Sequence, residues 1–181
     1  MVRFMAVLAL VALFAANGAM AQQAGDPLAE AVERNPGRIE ARLLDLVAGF
    51  GGPEGLTGQG IEEHIALERA ADRASAMRRL LALDLDADGG VTREELAVAQ
   101  RAASATARGR LERQFVAADG SGDGQLDAGE IAAAGRAAGL AALDEDEAAL
   151  LRAALRLDGN GDGALTAEEV RAGLARLAPQ D

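Results

Sequence analysis

Three stretches of twelve residues repeat one arrangement of oxygen-bearing side chains. They are DLDADGGVTREE (84–95), DGSGDGQLDAGE (119–130) and DGNGDGALTAEE (158–169), numbered loops 2, 3 and 4 because a related stretch precedes them. Each has Asp at positions 1 and 5, an oxygen-bearing side chain at position 3, Gly at 6 and Glu at 12. A hard divalent cation takes roughly six to eight oxygen ligands, which alternate residues of a tight loop can supply. The spacing therefore predicts a cation site in each loop.

These stretches resemble the calcium loop of the EF-hand family. Loops 2 and 4 fit the pattern D-x-[DN]-x-[DN]-G-x5-E, and loop 3 departs only by Ser121, which still offers a hydroxyl oxygen. Dockerin modules repeat similar loops, but at closer spacing and usually with Asp at position 12, whereas these loops begin 35 and 39 residues apart. The wider spacing leaves room for an exit helix and an entry helix, as in calmodulin-like arrays. The resemblance implies an all-α fold of helix–loop–helix units and three bound Ca²⁺ ions.

The resemblance also implies which atoms coordinate the metal. Side chains at positions 1, 3, 5 and 12 and the backbone carbonyl at position 7 are ligands, and position 9 acts directly or through water. Loops 2 and 3 offer four ligand-position carboxylates each and loop 4 offers three, so loop 4 is expected to bind most weakly. The predicted ligands are Asp84, Asp86, Asp88, Gly90, Thr92 and Glu95 in loop 2; Asp119, Ser121, Asp123, Gln125, Asp127 and Glu130 in loop 3; and Asp158, Asn160, Asp162, Ala164, Thr166 and Glu169 in loop 4.

A glycine-rich stretch, GFGGPEGLTGQG (49–60), has the register of a further loop. Leu56 lies 35 residues before Val91, the position-8 residue of loop 2. Positions 1, 3, 5 and 12 are Gly, Gly, Pro and Gly, which offer no side-chain oxygen. We interpret this stretch as loop 1, a vestigial EF-hand loop that binds no calcium; a plain glycine-rich linker is the alternative. A phosphate-binding loop is excluded, because Glu54 interrupts G-x-G-x-x-G and the chain has no Lys.

Four such units are expected to form two pairs through their position-8 residues. We expect one pair at 38–105, with loops 1 and 2, and another at 106–181, with loops 3 and 4, after a flexible segment at 22–37. The stretch 61–83 contains no helix breaker, and the sequence leaves open where it bends. The stretch 96–118 contains only the breaker Gly109.

The connector between loops 3 and 4 contains its own helix signals. Gly135 and Gly139 are expected to weaken the first helix. Asp144 is expected to cap the next helix, with Glu147 three residues on, as in a capping box. The acidic run around Asp144 is therefore interpreted as a helix start rather than an interaction tail.

The composition narrows the possible functions. The chain has 181 residues and a formal net charge of −11, so nucleic-acid phosphates and anionic lipids would repel it. Without Cys it has no disulfide or thiolate metal site, and the lone His64 can build neither a zinc site nor a catalytic triad unaided. His64 is interpreted as an ordinary surface or packing residue. An enzymatic role is not expected, because metal ligation accounts for the carboxylates.

The N-terminal residues are typical of a secretory signal. A short positive region, MVR, precedes the apolar run FMAVLALVALFAA, and Ala19 and Ala21 supply small residues at the cleavage positions. We expect a signal peptide at 1–21, cleavage before Gln22 and an exported protein, periplasmic or secreted. An uncleaved anchor helix is the alternative, but the run is shorter than the roughly 20 residues that span a bilayer.

Two roles are compatible with calcium binding by an exported protein. One is a calcium buffer or a calcium-stabilised envelope protein, because extracellular modules bind calcium at roughly 10⁻⁴ to 10⁻³ M and metal binding stabilises the native state. The other is a calcium sensor that exposes an apolar groove to a dedicated protein partner. Met77 is the only Met left after the predicted cleavage, which argues against a promiscuous Met-rich groove. The first role is therefore favoured.

Overall fold

The computed structural model describes residues 26–177, and the predicted signal peptide at 1–21 lies outside this range. The described chain contains eight α-helices, one 3₁₀ turn and four two-residue strands, so the predicted all-α fold of helix–loop–helix units is confirmed. In chain order these are α1 (Pro27–Arg34), α2 (Pro36–Phe50), β1 (Leu56–Thr57), α3 (Gly58–Leu81), β2 (Val91–Thr92), α4 (Arg93–Ala102), α5 (Ala105–Ala118), β3 (Gln125–Leu126), α6 (Ala128–Ala142), α7 (Glu145–Ala153), the 3₁₀ turn (Ala154–Leu157), β4 (Ala164–Leu165) and α8 (Ala167–Leu177).

The first helix corrects the expectation of a flexible segment at 22–37 over its described part. Asp26 caps α1 by accepting a hydrogen bond from the Leu28 backbone N–H at 3.0 Å, and Pro27 fits the first turn because no N–H partner is needed there. Leu28 and Val32 are 1% and 0% exposed, and α1 packs against α2, α7 and α8. The segment is ordered because its apolar face is buried in the core, a contact that local composition does not reveal.

The longest helix, α3, decides where loops 1 and 2 lie. Residues 61–81 contain neither Gly nor Pro, and α3 runs unbroken for 24 residues. At about 1.5 Å per residue, the helix is roughly 36 Å long. Loops 1 and 2 therefore lie at opposite ends of one helix.

The chain reverses direction between loops 2 and 3 instead. α4 ends at Ala102, and Ser104 caps α5 by accepting a hydrogen bond from the Ala107 backbone N–H at 3.3 Å. Gly109 lies inside α5 and does not break it. The Gln100 side chain donates to Glu112 at 2.9 Å and so ties α4 to α5. This reversal places loops 2 and 3 side by side.

Short antiparallel strands join the four loops in two pairs. β2 pairs with β3, with Val91 opposite Leu126, and β1 pairs with β4, with Leu56 opposite Leu165. Position 8 therefore faces position 8 in each pair, as expected. The expected partners were wrong, because loop 2 pairs with loop 3 and loop 1 with loop 4. A division into units at 38–105 and 106–181 would split the loop 2–loop 3 pair. Loop 1 does not pair with loop 2 because the unbroken α3 holds the two loops apart.

Each pair of loops adjoins one of two apolar clusters in the described chain. The larger cluster, beside loops 1 and 4, gathers side chains from α1, α2, α3, α7 and α8. The smaller cluster, beside loops 2 and 3, includes Leu80, Phe115 and Ile131. Within residues 26–177, no helix combines the length and apolar character needed to cross a membrane.

Helix α6 packs along α3 and continues through both of its interior glycines. A Cβ on Gly139 would lie 2.7 Å from the Arg69 carbonyl oxygen, so the glycine allows the two backbones to come close. This packing compensates for the weakening that Gly135 and Gly139 were expected to cause. α7 begins at the predicted cap, because the Asp144 side chain accepts a hydrogen bond from the Glu147 backbone N–H at 2.8 Å. The expected capping box is only half formed, since the Glu147 side chain pairs with Arg42.

Candidate metal centre

The position-1 carboxylate organises each of loops 2, 3 and 4. In loop 2, Asp84 Oδ1 accepts a hydrogen bond from the Ala87 backbone N–H at 2.7 Å, and Asp84 Oδ2 accepts one from Gly89 at 3.0 Å. Asp119 and Asp158 accept the same two bonds from positions 4 and 6 of their loops. These bonds wrap the backbone around the carboxylate and leave its other lone pairs available.

Positions 3 and 5 continue the same pattern along the loop. Asp86 accepts a hydrogen bond from the Asp88 backbone N–H at 3.2 Å, and Asp88 accepts one from Gly90 at 2.7 Å. Equivalent bonds recur in the other two loops, where Ser121 and Asn160 take position 3. The backbone hydrogen bonds to side chains at positions 1, 3 and 5 therefore recur in all three loops.

The position-12 glutamate closes each loop onto its exit helix. In loop 2, Glu95 Oε1 accepts from the Leu85 backbone N–H at 2.7 Å and Glu95 Oε2 accepts from Thr92 at 2.8 Å. These backbone donors, Thr92 first and then Leu85, hold the pKa of the Glu95 carboxyl below its ordinary value. Backbone hydrogen bonds likewise lower the pKa of Glu130 and of Glu169. The three glutamates are thus kept anionic, the form that binds a cation.

Position 9 serves first as a helix cap. Thr92 and Asp127 cap α4 and α6, and each forms a capping box with its position-12 glutamate. Thr166 Oγ1 accepts from the Glu169 backbone N–H at 3.3 Å in the same way. Each of these oxygens accepts a hydrogen bond from the backbone, as the oxygens at positions 1, 3 and 5 also do.

Backbone geometry adds a requirement that the ligand pattern did not reveal. Positions 4 and 6 adopt positive φ in all three loops, with values of 74° and 84° at Gly122 and Gly124 and 75° and 85° at Gly161 and Gly163. In loop 2, position 4 is Ala87, the one non-glycine residue with positive φ in the described chain, at 63°. Recurrence of Gly at position 4 in loops 3 and 4 was the sequence signal for this requirement.

Loop 1 has a different interior. A tight turn replaces the carboxylate frame, with Gly52 and Gly55 exchanging backbone hydrogen bonds of 2.8 and 3.1 Å. A Cβ on Gly60, the position-12 residue, would lie 2.9 Å from the Phe50 carbonyl oxygen. Thr57 still caps the following helix by accepting from the Gly60 backbone N–H at 3.3 Å. Loop 1 therefore shares the strand and the helix cap of the other loops, while backbone occupies the space next to position 12.

His64 lies beside loop 1 and not in any carboxylate loop. Its ring packs edge-on against Phe50 with 4.9 Å between centroids. His64 lines a cavity of about 310 Å³ together with Leu46, Phe50 and Leu143. The contact with Phe50 is a packing contact, whereas Nδ1 of His64 is buried without a hydrogen-bond partner in the described structure, and charged residues such as Arg42 and Glu68 also line the cavity.

The carboxylate loops fit a hard cation. One oxygen from each of Asp84, Asp86 and Asp88 can be chosen so that all three lie within 4.8 Å of one another. The donor set is made of oxygen, contains no nitrogen or sulfur, and carries several negative charges. Calcium prefers such ligands, whereas zinc sites in proteins use His and Cys.

Paired helix–loop–helix units with oxygen-lined loops define a class of cation-binding protein. The EF hand family model matches residues 78–98 and 155–175, which contain loops 2 and 4. These matches and the fold support an EF-hand calcium-binding family. No curated protein and no solved structure gives a significant match to the chain.

Proposed function

We propose that the protein binds three calcium ions, one in each of loops 2, 3 and 4, and none in loop 1. The observation that carries the proposal is the shared hydrogen-bond frame of the three loops. Side chains at positions 1, 3 and 5 accept from the same backbone positions in each loop, and the position-12 glutamate accepts from the position-9 N–H in each. The eighteen residues predicted from the sequence remain the proposed ligands. Loop 1 is proposed to be a vestigial hand retained because its strand completes the pair with loop 4.

The proposed role of the bound calcium is buffering or stabilisation of an exported protein. Three or four ligand-position carboxylates lie within each twelve-residue loop, and their mutual repulsion disfavours the folded loop until a cation neutralises it. A cation that binds only the native state adds directly to the free energy of unfolding. Calcium is therefore expected to raise thermal stability without requiring a protein partner.

Calorimetric titration of the chelator-stripped protein tests the number of sites. Three sites are expected in the parent protein, and Glu95→Gln, Glu130→Gln and Glu169→Gln should each lose one, because each removes the anionic bidentate ligand. Glu94→Gln and Glu168→Gln are matched controls, since both alter an exposed glutamate next to the ligand position. Four sites in the parent would contradict the assignment of loop 1, and no binding at millimolar calcium would contradict the whole proposal.

A calcium sensor is the second candidate, and one surface feature favours it. A shallow apolar groove of about 510 Å³ runs along α3 near loop 2 and is lined by Ala74, Met77, Arg78, Leu81 and Ala82. A sensor would enlarge such a groove on binding calcium. A calcium-dependent rise in the fluorescence of an apolar dye would support the sensor, whereas a stability increase without dye binding would support the buffer.

We also propose export, supported by the pattern of charge, apolar run and small residues at 1–21. The test is the intact mass of the protein recovered after expression in a bacterial host with a secretory pathway. The expected mass is that of a chain whose first residue is Gln22. A mass that includes residues 1–21 in a membrane fraction would favour the anchor alternative.

A further inference from the structure

Two helices connect the pairs of loops. α3 is the exit helix of loop 1 and the entry helix of loop 2. α6 is the exit helix of loop 3 and leads through Leu143 and Asp144 into α7, the entry helix of loop 4. A movement of α3 in one pair of loops is therefore a movement of a helix that also belongs to the other pair.

The contact between α3 and α6 is a close backbone packing, here named the glycine seam and defined by Gly135 and Gly139. A Cβ on Gly139 would lie 2.7 Å from the Arg69 carbonyl oxygen, and a Cβ on Gly135 would lie 2.6 Å from Met77 Cγ. Both glycines are buried. Such a packed contact resists sliding because there is no free volume to absorb a shift.

Arg69 stabilises the end of the glycine seam, where α6 ends and α7 begins. Its Nε donates to the Leu143 carbonyl oxygen at 2.9 Å, and its Nη2 forms an ion pair with Glu145 at 2.9 Å. The Arg69 side chain is 21% exposed and the Glu145 side chain 69%, so the bond to the Leu143 carbonyl is the more shielded of the two contacts. The entry helix of loop 4 is thus tied to the helix that enters loop 2.

We propose that the glycine seam couples the two pairs, so that calcium in loops 2 and 3 strengthens calcium binding in loop 4. The inference rests on the proposed calcium binding of these loops. Ligand binding in one pair shifts the preferred angle between entry and exit helices, and a tightly packed contact passes such a shift on. Loop 4 has the fewest ligand carboxylates, so it depends most on preorganisation by the rest of the molecule.

Nuclear magnetic resonance of the Gly163 amide gives a readout for loop 4 alone. Its N–H donates to Asp158 Oδ2 at 2.9 Å, so its resonance responds when Asp158 binds a cation. Calcium titrations are compared for the parent protein and for Glu95→Gln/Glu130→Gln, in which loops 2 and 3 are disabled. The coupling ratio is the half-saturation concentration of loop 4 in the disabled protein divided by that in the parent protein. We expect this ratio to be about fivefold or more.

Variants of the glycine seam test the route of the coupling. Gly139→Ala, which places a Cβ against backbone, should reduce that ratio toward one. Gly135→Ala meets only side-chain atoms, those of Met77 and Arg73, and should reduce the ratio less. Ala137→Leu, on the exposed face of α6, is the matched control and should leave the ratio unchanged. Arg69→Gln, which removes the bonds to Leu143 and Glu145, replaces Gly139→Ala if that variant does not fold.

The outcomes separate this inference from the proposed function. A Gly163 resonance that never responds to calcium in the parent protein would contradict calcium binding by loop 4. A clear response of Gly163 together with equal half-saturation concentrations in the parent and disabled proteins would contradict the coupling but not the calcium binding. A ratio that stays fivefold in folded Gly139→Ala and Arg69→Gln variants would show that the coupling does not pass through the glycine seam.

Discussion

At the residue scale, Ala87 separates loop 2 from the other two carboxylate loops. It holds the left-handed backbone that Gly122 and Gly161 adopt at the same loop position. The left-handed conformation costs an L-residue roughly 1–2 kcal/mol, because its Cβ approaches the following carbonyl oxygen. Loop 2 therefore combines four ligand-position carboxylates, as many as loop 3, with a strained turn.

We expect Ala87→Gly to raise the free energy of unfolding by roughly 0.5–1 kcal/mol, because the relieved strain exceeds the extra flexibility that glycine gives the unfolded chain. Gly122→Ala and Gly161→Ala should lower it by about 1 kcal/mol, since an added Cβ meets no atom within 4 Å and only the backbone strain remains. Urea unfolding in saturating calcium measures all three. A change of the same sign in Ala87→Gly and Gly122→Ala would contradict the strain explanation.

Gly60, at position 12 of loop 1, lies against the backbone of Phe50 and leaves little space for a side chain. We expect Gly60→Glu to add no calcium site and to destabilise the protein by roughly 1–3 kcal/mol, because its Cβ would press on the Phe50 carbonyl oxygen. Gly49→Ala is the control: no atom lies within 4 Å of the added Cβ, so stability should hold or rise slightly. A fourth calorimetric site in Gly60→Glu would contradict this account.

At the element scale, each exit helix begins inside its candidate metal site. Glu95 is at once a proposed ligand and the third residue of α4, where its carboxylate accepts from the Thr92 backbone N–H. The same arrangement places Glu130 at the start of α6. A cation that draws this glutamate inward must therefore act on the orientation of the helix as well as on the loop.

Helix α1 is an integral part of the core beside loops 1 and 4. We expect Leu28→Ala to lower the free energy of unfolding by roughly 2–5 kcal/mol, because Leu28 is 1% exposed and its removal leaves a cavity. Glu33→Ala, on the exposed face of the same helix, should change stability by less than about 0.5 kcal/mol. Denaturant titration monitored by circular dichroism compares the two, and equal losses would argue against a docked α1.

At the scale of the whole molecule, the pairs are nested. Loops 2 and 3 form an inner pair from adjacent parts of the chain, and loops 1 and 4 form an outer pair from its two ends. The outer pair therefore forms only when α3, α6 and α7 have brought distant segments together. Proposed calcium in loop 4 would stabilise this long-range contact.

The absence of Cys from the sequence makes the pairing directly testable. We expect Thr57→Cys with Ala164→Cys to form a disulfide under mild oxidation, because these residues are opposed in the β1–β4 ladder and such Cα atoms lie roughly 4.5–5.5 Å apart. In a pairing of loop 1 with loop 2, Thr57 would instead face Gly90. Mass spectrometry should therefore find Thr57→Cys with Gly90→Cys still reduced. The reverse result would contradict the nested arrangement.

Much of the candidate site could be predicted because its interactions are local. The carboxylates of Asp84, Asp86 and Asp88 bond to backbone within the same twelve residues, so spacing alone specifies which oxygens converge. Spacing also assigned both Leu56 and Val91 to loop position 8. The strands confirm this assignment, because each of the two residues lies opposite the position-8 residue of another loop. Helix caps such as Asp144 are equally local.

The tertiary structure alone decided which loops are partners and what orders the N-terminal segment. Every position-8 residue is apolar and could face any other, so the choice depends on whether 61–83 stays straight, and that depends on packing against α6. α1 is likewise ordered by contacts with α7 and α8, more than a hundred residues away in the chain. The sequence by itself determined the chemistry of each loop, because ligand and backbone lie within one turn; the arrangement of the loops required long-range burial of apolar surface, which no local pattern contains.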